Sequence, residues 1–434
     1  MSIPVFSLNN TSAGCITYNP LTRLVSVTCS SVNLTDIYET LKKPEKILIK
    51  QSSKVWLLNA NVVVENGATF YINSTDTSWL KINSTAGVAY YIQARGNLII
   101  DSVTITSWDT IKNDYGKAII HGNVIPRSYI LVKDGTGMTN ITNSEIAYLG
   151  YPHFDSFGLV YYTGAGSIIK NNNIHDMWYG FYSTGTNAHN ITIQNNNFRR
   201  NNIYGIDPHS GTHHLIISNN QVYDNGRSGI ICSVNCHDIV VEQNKVFNNA
   251  QVGIIFHRNV SSSFIKHNII YDNKEDQILI QDSSYNNEIY GNSIKGGKLG
   301  IKVTQESERN NIHNNTITDL SNYGIYVLNG ASENIIAFNT IVNPSIYALY
   351  VQDPNTNYNI FKYNKLFLNS QETPIKLSNL GKSHALFINN TVGALPIFYG
   401  GLDTRSIILI ISGSSTVIIA IVLYLRRRLR RQRD

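Results

Sequence analysis

Hydrophobic and polar positions recur along the middle of the chain with a period of about 24 residues. Short β-branched runs, such as LIISNNQVYDN and IVVEQNKVFNN, are each interrupted by asparagine. These asparagines keep one register, at Asn172, Asn196, Asn220, Asn244, Asn268, Asn292, Asn315, Asn339 and Asn364. A Gly-Ile pair keeps a similar interval, beginning at Gly205, Gly229, Gly253, Gly300 and Gly324. Self-similarity at this period predicts a solenoid.

The repeating units are too short and too rich in β-branched residues to be helical repeats. They predict an all-β fold, a right-handed parallel β-helix in which each unit of about 24 residues forms one coil. The repeated asparagines are expected to form a ladder of side-chain hydrogen bonds at one corner of the coils. A leucine-rich horseshoe is the alternative solenoid, but the leucine spacing that it needs is absent.

The register divides the chain into regions. Residues 1–85 lack it and are expected to form an N-terminal cap that covers the open edge of the first coil. Residues 86–396 form the predicted β-helix domain, and 397–405 read as a linker. Residues 406–425, SIILIISGSSTVIIAIVLYL, carry no charge and are long enough to cross ~30 Å of hydrocarbon as a helix.

Six arginines and one aspartate in residues 426–434 follow this apolar run directly, which is typical of a cytoplasmic stop signal. We therefore expect a single membrane span, with the tail in the cytoplasm and the β-helix domain on the extracytoplasmic side of the cell membrane; a buried core helix is the alternative. The first ten residues, MSIPVFSLNN, resemble no export signal, so we expect an upstream start or an unconventional signal.

The net charge of +6 belongs almost entirely to this tail, which contributes +5 and leaves about +1 for the rest of the chain. Such a balance provides no basic surface for a phosphate backbone, so no nucleic-acid partner is expected.

Four cysteines occur in two pairs. Cys15 and Cys29 flank two β-rich runs around an Asn-Pro turn, so a hairpin can bring them together as a disulfide in an oxidising compartment. Cys232 and Cys236 precede His237, but the sequence offers no second Cys/His pair to complete a tetrahedral site. We expect packed or locally paired thiols there, and no metal.

The candidate chemistry lies in YGIDPHSGTHH, residues 204–214. In a stack of coils ~4.8 Å apart, equivalent positions form columns. The fourth residue after each glycine mark gives the column Thr184, His209, Ser233 and His257. Strand alternation places Asp207 and His209 on the same outer face, with Ile206 in the core. We expect both side chains on an exposed wall where an extended polymer can lie.

YGIDPH resembles the Tyr-Gly-x-Asp-Pro-His signature of the mannuronan C-5 epimerases, which convert mannuronate to guluronate within alginate. The resemblance continues in RSYILVKDGTGMTNITNSEIAYLGY, IHDMWYGFY and GIIFHRNVSSS, and covers roughly residues 100–300. Within this family, the sequence is most similar to the secreted branch, whose members have a single β-helix. The resemblance implies a cofactor-free isomerase acting on an anionic polysaccharide, a uronan, with Tyr204, Asp207 and His209 at the catalytic positions.

C-5 epimerisation removes a proton α to a carboxylate, so the carboxylate must be neutralised while charge develops. His209 is the expected base because imidazole titrates near neutral pH. Tyr204, or a water that it holds, is the expected donor on the opposite face. Asp207 is expected to orient His209 or to share a proton with the substrate carboxylate, and Pro208 to stiffen the turn and contact substrate.

The sequence departs from the resemblance at one position. The family pattern leads us to expect a carboxylate-neutralising arginine in GIICSVNC, where this chain has Val234. Arg258 occupies the same column one coil further on, ~10 Å from the His209 coil, and is the candidate replacement or a structural arginine of the repeat. Ser233 and His257 complete the predicted substrate contacts.

Two other functions remain open from the residues. The same carbanion yields a polysaccharide lyase if it expels the C-4 oxygen, and a β-helix without catalysis can bind or display surface glycans. A calcium-assisted pectate lyase is disfavoured because the wall lacks a tight cluster of Asp and Glu.

Overall fold

The computed structural model describes residues 14–394, apart from 42–43, 86–87, 353–354, 369–373 and 379–383. Over these ranges the chain forms a right-handed parallel β-helix of about 13 turns, which confirms the predicted fold. A typical coil passes through the three sheets in the order first, third and second. The side chains pointing inward form one continuous apolar core along the axis.

In the described part of the chain, the first sheet has 15 strands, of which only the first pair is antiparallel. Its strands are Ile16–Asn19, Leu24–Val27, Asn61–Val64, Tyr91–Ala94, Tyr129–Val132, Gly158–Tyr161, Tyr179–Thr184, Ile206–His209, Ile230–Ser233, Ile254–His257, Asp276–Gln281, Leu299–Val303, Tyr323–Val327, Tyr347–Gln352 and Ile375–Ser378.

The other two long sheets also run along the axis. The strands of the second sheet are Leu48–Ser52, Val55–Leu58, Trp79–Asn83, Thr104–Asp109, Glu145–Ala147, Asn173–His175, Asn197–Arg199, Gln221–Tyr223, Lys245–Phe247, Ile269–Tyr271, Ser293–Lys295, Thr316–Thr318, Thr340–Val342, Lys365–Leu368 and Thr391–Ala394, with Asp114–Tyr115 paired at its side. Those of the third sheet are Thr69–Asn73, Asn97–Asp101, Thr139–Thr142, Ile168–Lys170, Thr192–Gln194, Ile216–Ser218, Val240–Glu242, Phe264–Lys266, Glu288–Tyr290, Asn311–His313, Ile335–Ala337, Ile360–Lys362 and Leu386–Ile388.

The predicted asparagine ladder is present at the corner between the third and second sheets. The Asn220 amide donates 2.9 Å to the Ile193 carbonyl and 3.0 Å to Oδ1 of Asn244. Its own Oδ1 accepts from the backbone N–H and the side-chain amide of Asn196. This bonding repeats from Asn172 to Asn390, so one residue type satisfies the backbone at this corner of each coil.

The N-terminal region begins with the predicted hairpin, and Cys15 and Cys29 form the expected disulfide. Short helices follow at Leu34–Thr40 and Pro44–Ile47, the first of them with a capping box at Asn33. Parallel pairing already begins between Leu24–Val27 and Asn61–Val64, so coils of the β-helix extend into the region 1–85 that we predicted as a cap. A short hairpin, Ile119–Ile120 with Asn123–Val124, projects further along the chain.

Among the residues that the structure describes, no helix is both long enough and apolar enough to span a bilayer. The predicted linker 397–405, membrane span 406–425 and tail 426–434 lie outside those residues.

Candidate active site

The Ile206–His209 strand lies in the middle of the first sheet. Its register pairs Tyr182 with Asp207 on one side and Ser233 with His209 on the other. Ile206 is fully buried in the core, and the outer face carries Asp207 and His209, as the alternation predicts. Gly205 directly precedes this strand, at a position where a Cβ would approach the Gly229 carbonyl oxygen to 2.7 Å.

The burial of Asp207 corrects the prediction that its side chain is exposed. Its side chain is on the predicted face but is not exposed on an open wall, since the residue is only 3% accessible. Its Oδ1 has no hydrogen-bond partner among the described residues. Burial therefore raises the pKa of the Asp207 carboxyl well above its ordinary value. A raised pKa favours the protonated form of the carboxyl, which can donate a hydrogen bond.

His209 is half-buried beside Asp207. Its Nδ1 lies 2.6 Å from the Ser210 hydroxyl oxygen. If Nδ1 carries the proton and donates to Ser210, Nε2 holds the lone pair that a general base requires. Burial lowers the pKa of His209, and the nearby charges of His257 and Arg258 lower it further. The imidazole is thus held neutral at physiological pH.

Tyrosines cover this part of the face. Tyr204 packs on an outer apolar cluster that includes Ile231 and Ile255, and its ring centre is 5.3 Å from that of Tyr179. The ring nearest to His209 is Tyr182, with 5.8 Å between ring centres, and burial raises the pKa of Tyr182 to about 12. Sequence reasoning missed Tyr182. Its signal was Tyr-Gly-Phe-Tyr one coil before Tyr-Gly-Ile-Asp.

The predicted column beyond His209 is present. Strand register aligns Ser233 with His209 and His257 with Ser233. His257 Nε2 lies 2.8 Å from Oδ2 of Asp282, an acidic partner that the sequence analysis did not anticipate. Burial lowers the pKa of His257, while Asp282 opposes this effect.

Arg258 follows His257 at the turn, as its register predicts. Its side chain is 63% exposed, and its Nε lies 3.9 Å from the Asp282 carboxylate. A surface contact of this length holds the guanidinium weakly. The guanidinium is therefore accessible to an anionic ligand.

Two grooves lie along the turn that follows the strands of the first sheet. One, of about 600 Å³, is lined by residues that include Lys133, Tyr162 and Thr184. The other, of about 730 Å³, begins at Val234 and includes Arg258. The coil of His209 lies between the coils that bound the two grooves. An extended chain lying along this turn would pass His209.

Pro208 and the second cysteine pair lie away from this surface. Pro208 is buried and shares the inward column with Cys232, so it does not offer the predicted substrate contact. Cys232 and Cys236 are free, buried thiols, and burial raises the pKa of both. Within the described residues, no group of three or more His, Cys, Asp or Glu is arranged to hold a metal ion.

Comparison with known proteins gives partial matches along the chain. Residues 200–372 match the family described as periplasmic copper-binding protein (NosD), and residues 72–264 match the right handed beta helix region family. The mannuronan C5-epimerases of Pseudomonas syringae pv. tomato and Pseudomonas fluorescens are 27% and 28% identical over 190 residues. Each match covers 41% of this chain and 34% of the relative, so the chain spans about a third of the length of these relatives.

Among solved structures, the crystal structure of the periplasmic alginate epimerase AlgG matches with a TM-score of 0.70 and 22% identity. The match covers 86% of this chain and 87% of that one. At this identity the likeness establishes the shared fold.

Proposed function

We propose that this chain, which is related to the mannuronan C5-epimerase family, is an enzyme that inverts C-5 of uronate residues within an anionic polysaccharide. The observation that carries the proposal is the pairing of two groups on one face. Burial lowers the pKa of His209 and raises the pKa of the Asp207 carboxyl, and both residues lie between two grooves of the same turn.

The reaction requires a base and a means of neutralising the substrate carboxylate. H-5 is acidified by the adjacent carboxylate only if the developing enolate charge is stabilised. In our proposal Nε2 of His209 removes H-5, and protonated Asp207 donates a hydrogen bond to the substrate carboxylate. Tyr204, or a water that it holds, returns a proton to the opposite face of the sugar. The proton count balances, because one proton leaves C-5 and one is returned.

Arg258 is the proposed second contact to substrate charge. Its coil is two steps, ~10 Å, from the coil of His209, so its guanidinium would bind the carboxylate of a neighbouring sugar. The weak contact with Asp282 leaves the guanidinium available. His257 and Ser233, in the column between Arg258 and His209, would line the path of the polymer.

We also propose that the β-helix works outside the cytoplasm, anchored by the predicted span 406–425. The Cys15–Cys29 disulfide supports an oxidising compartment. The AlgG epimerase and the NosD family are both described as periplasmic, which supports the same assignment.

The test is proton NMR of poly-mannuronate incubated with the full-length protein in D₂O. Wild type should incorporate deuterium at C-5 and produce guluronate signals, and His209→Ala should lose ~10²–10⁴-fold in rate. His214→Ala is the matched control because it removes an exposed histidine of the same coil, and it should keep the wild-type rate.

Three results would contradict the proposal. Unsaturated ends absorbing in the ultraviolet would identify a lyase. Deuterium incorporation at the wild-type rate in His209→Ala would show that His209 is not the base. Polymer binding by wild type without exchange on any uronan would identify a glycan-binding protein.

A further inference from the structure

The tyrosine pattern of the candidate site returns further along the same sheet. Tyr204-Gly-Ile-Asp207 is matched by Tyr-Gly-Ile-Tyr at 323–326 and by Tyr-Ala-Leu-Tyr at 347–350. Strand register carries the Asp207 position through Ile231, Ile255, Leu279 and Lys302 to Tyr326. The later tyrosines therefore occupy the same outer columns as Tyr204 and Asp207.

Tyr323, Tyr326, Tyr347 and Tyr350 form one cluster, which we call the tyrosine platform. The rings of Tyr326 and Tyr350 stack with 4.8 Å between centres and a 3° interplanar angle, and those of Tyr323 and Tyr347 stack at 5.8 Å and 13°. All four side chains are partly exposed. Neighbouring rings are held in fixed orientations, so the platform presents a preformed aromatic surface.

Lysines flank the platform in the Tyr326 column. Lys302 precedes Tyr326 in register, and Lys376 follows Tyr350. The order Lys, Tyr, Tyr, Lys spans three coil steps, or ~14 Å. Lys376 is exposed, and Lys302 lies 3.9 Å from Asp276 with 28% of its side chain accessible. Two cations thus bracket an aromatic surface.

The platform is continuous with the candidate active site. The coils between them carry the outer apolar cluster of Ile231, Val252, Ile255 and Leu279, on which Tyr204 packs. The distance between the coils of Asp207 and Tyr326 is five steps, or ~24 Å. A polymer that passes His209 and continues along the helix axis would reach the platform.

We propose that the tyrosine platform, with Lys302 and Lys376, is a second binding site for the same anionic polysaccharide. This rests on the proposed function, because the occupant is taken to be its substrate. The apolar C–H faces of pyranose rings pack on tyrosine rings, and the two ammonium groups pair with uronate carboxylates. The platform would hold the polymer at a distance from the reacting sugar, which raises affinity for long chains and leaves the chemical step unchanged.

The test compares Tyr326→Ala/Tyr350→Ala with wild type in the full-length protein. Affinity for poly-mannuronate is measured directly by titration calorimetry, and KM and kcat by NMR. We expect about a tenfold weaker Kd and higher KM for the polymer, with kcat unchanged. A uronate trimer, too short to bridge ~24 Å, should be turned over equally by both proteins.

Phe247→Ala/Tyr271→Ala is the matched control. These rings stack with 4.9 Å between centres and a 4° angle beside Lys245, but they belong to the second sheet. The control removes a similar aromatic pair from another face and should bind the polymer as wild type does. Tyr326→Phe/Tyr350→Phe keeps the rings and should also retain affinity.

The outcomes separate this proposal from the proposed function. Equal polymer affinity of wild type and Tyr326→Ala/Tyr350→Ala would overturn the platform, whether or not the protein isomerises sugars. Loss of binding in that variant, with no exchange in wild type, would support the platform and refute the epimerase. A wild-type dimer that dissociates in the same variant would assign this face to a second copy of the chain and overturn the proposal.

Discussion

Replacement of Asp207 by asparagine should reveal the protonation state of the candidate site. In an unfolded chain an aspartate titrates near ~3.9, whereas burial holds the pKa of Asp207 well above that in the folded protein. As pH rises through the interval between these two values, the folded state keeps a proton that the unfolded state releases. The contribution of Asp207 to wild-type stability should therefore fall with rising pH by about 1.4 kcal/mol per pH unit in this interval.

Asparagine has nearly the same size and does not titrate. The difference in unfolding free energy between Asp207→Asn and wild type should be constant below the unfolded pKa. Above it the difference should move in favour of the variant by about 1.4 kcal/mol per pH unit, until the folded pKa is reached. Urea denaturation of both proteins at pH 3, 4, 5, 6 and 7 measures this directly. A difference that is the same at every pH would refute the assignment of a neutral, buried carboxyl.

The same substitution tests the chemical role. An asparagine amide can donate a hydrogen bond to a substrate carboxylate, as a protonated aspartate does, whereas alanine cannot. Asp207→Asn should keep epimerisation within about tenfold of wild type, and Asp207→Ala should lose ~10²-fold or more. Equal large losses in both variants would instead favour a role that needs the carboxylate charge.

Three further results are expected. Arg258→Ala should lower kcat/KM about 10–100-fold through loss of a charged contact with substrate. Because the Arg258 charge lowers the pKa of His209, the same variant should shift the acidic limb of the pH–rate profile to higher pH. An acidic limb that does not move would show that Arg258 does not influence the titration of His209. Asn220→Ala leaves the buried N–H of Asn196 unpaired and should cost about 3 kcal/mol in urea denaturation, whereas a change under 1 kcal/mol would contradict the ladder's role. Serine at both Cys15 and Cys29 should lower stability by about 3 kcal/mol, and unchanged urea midpoints would show that the bridge does not constrain the fold.

The sequence by itself determined the architecture, because a solenoid repeats one local solution. Asn220 and its equivalents form the same corner in each coil, so a 24-residue register is enough to infer the coil and its hydrogen-bonded ladder. The register also placed His209 and His257 in one column, because equivalent positions in stacked strands must align.

The tertiary structure decided the environment of each side chain, which depends on what lies above, below and beside a coil. Tyr182 lies 25 residues before Asp207, and only the observed register pairs these two residues. Strand alternation placed Asp207 on the outer face, but only the structure shows that this position is buried and that burial raises the pKa of its carboxyl. The contact between His257 and Asp282 is likewise formed by adjacent coils whose side chains differ. A repeat predicts the position of each side chain in its coil. The burial and protonation of that side chain depend on neighbouring residues that do not repeat, so the periodicity of the sequence does not predict them.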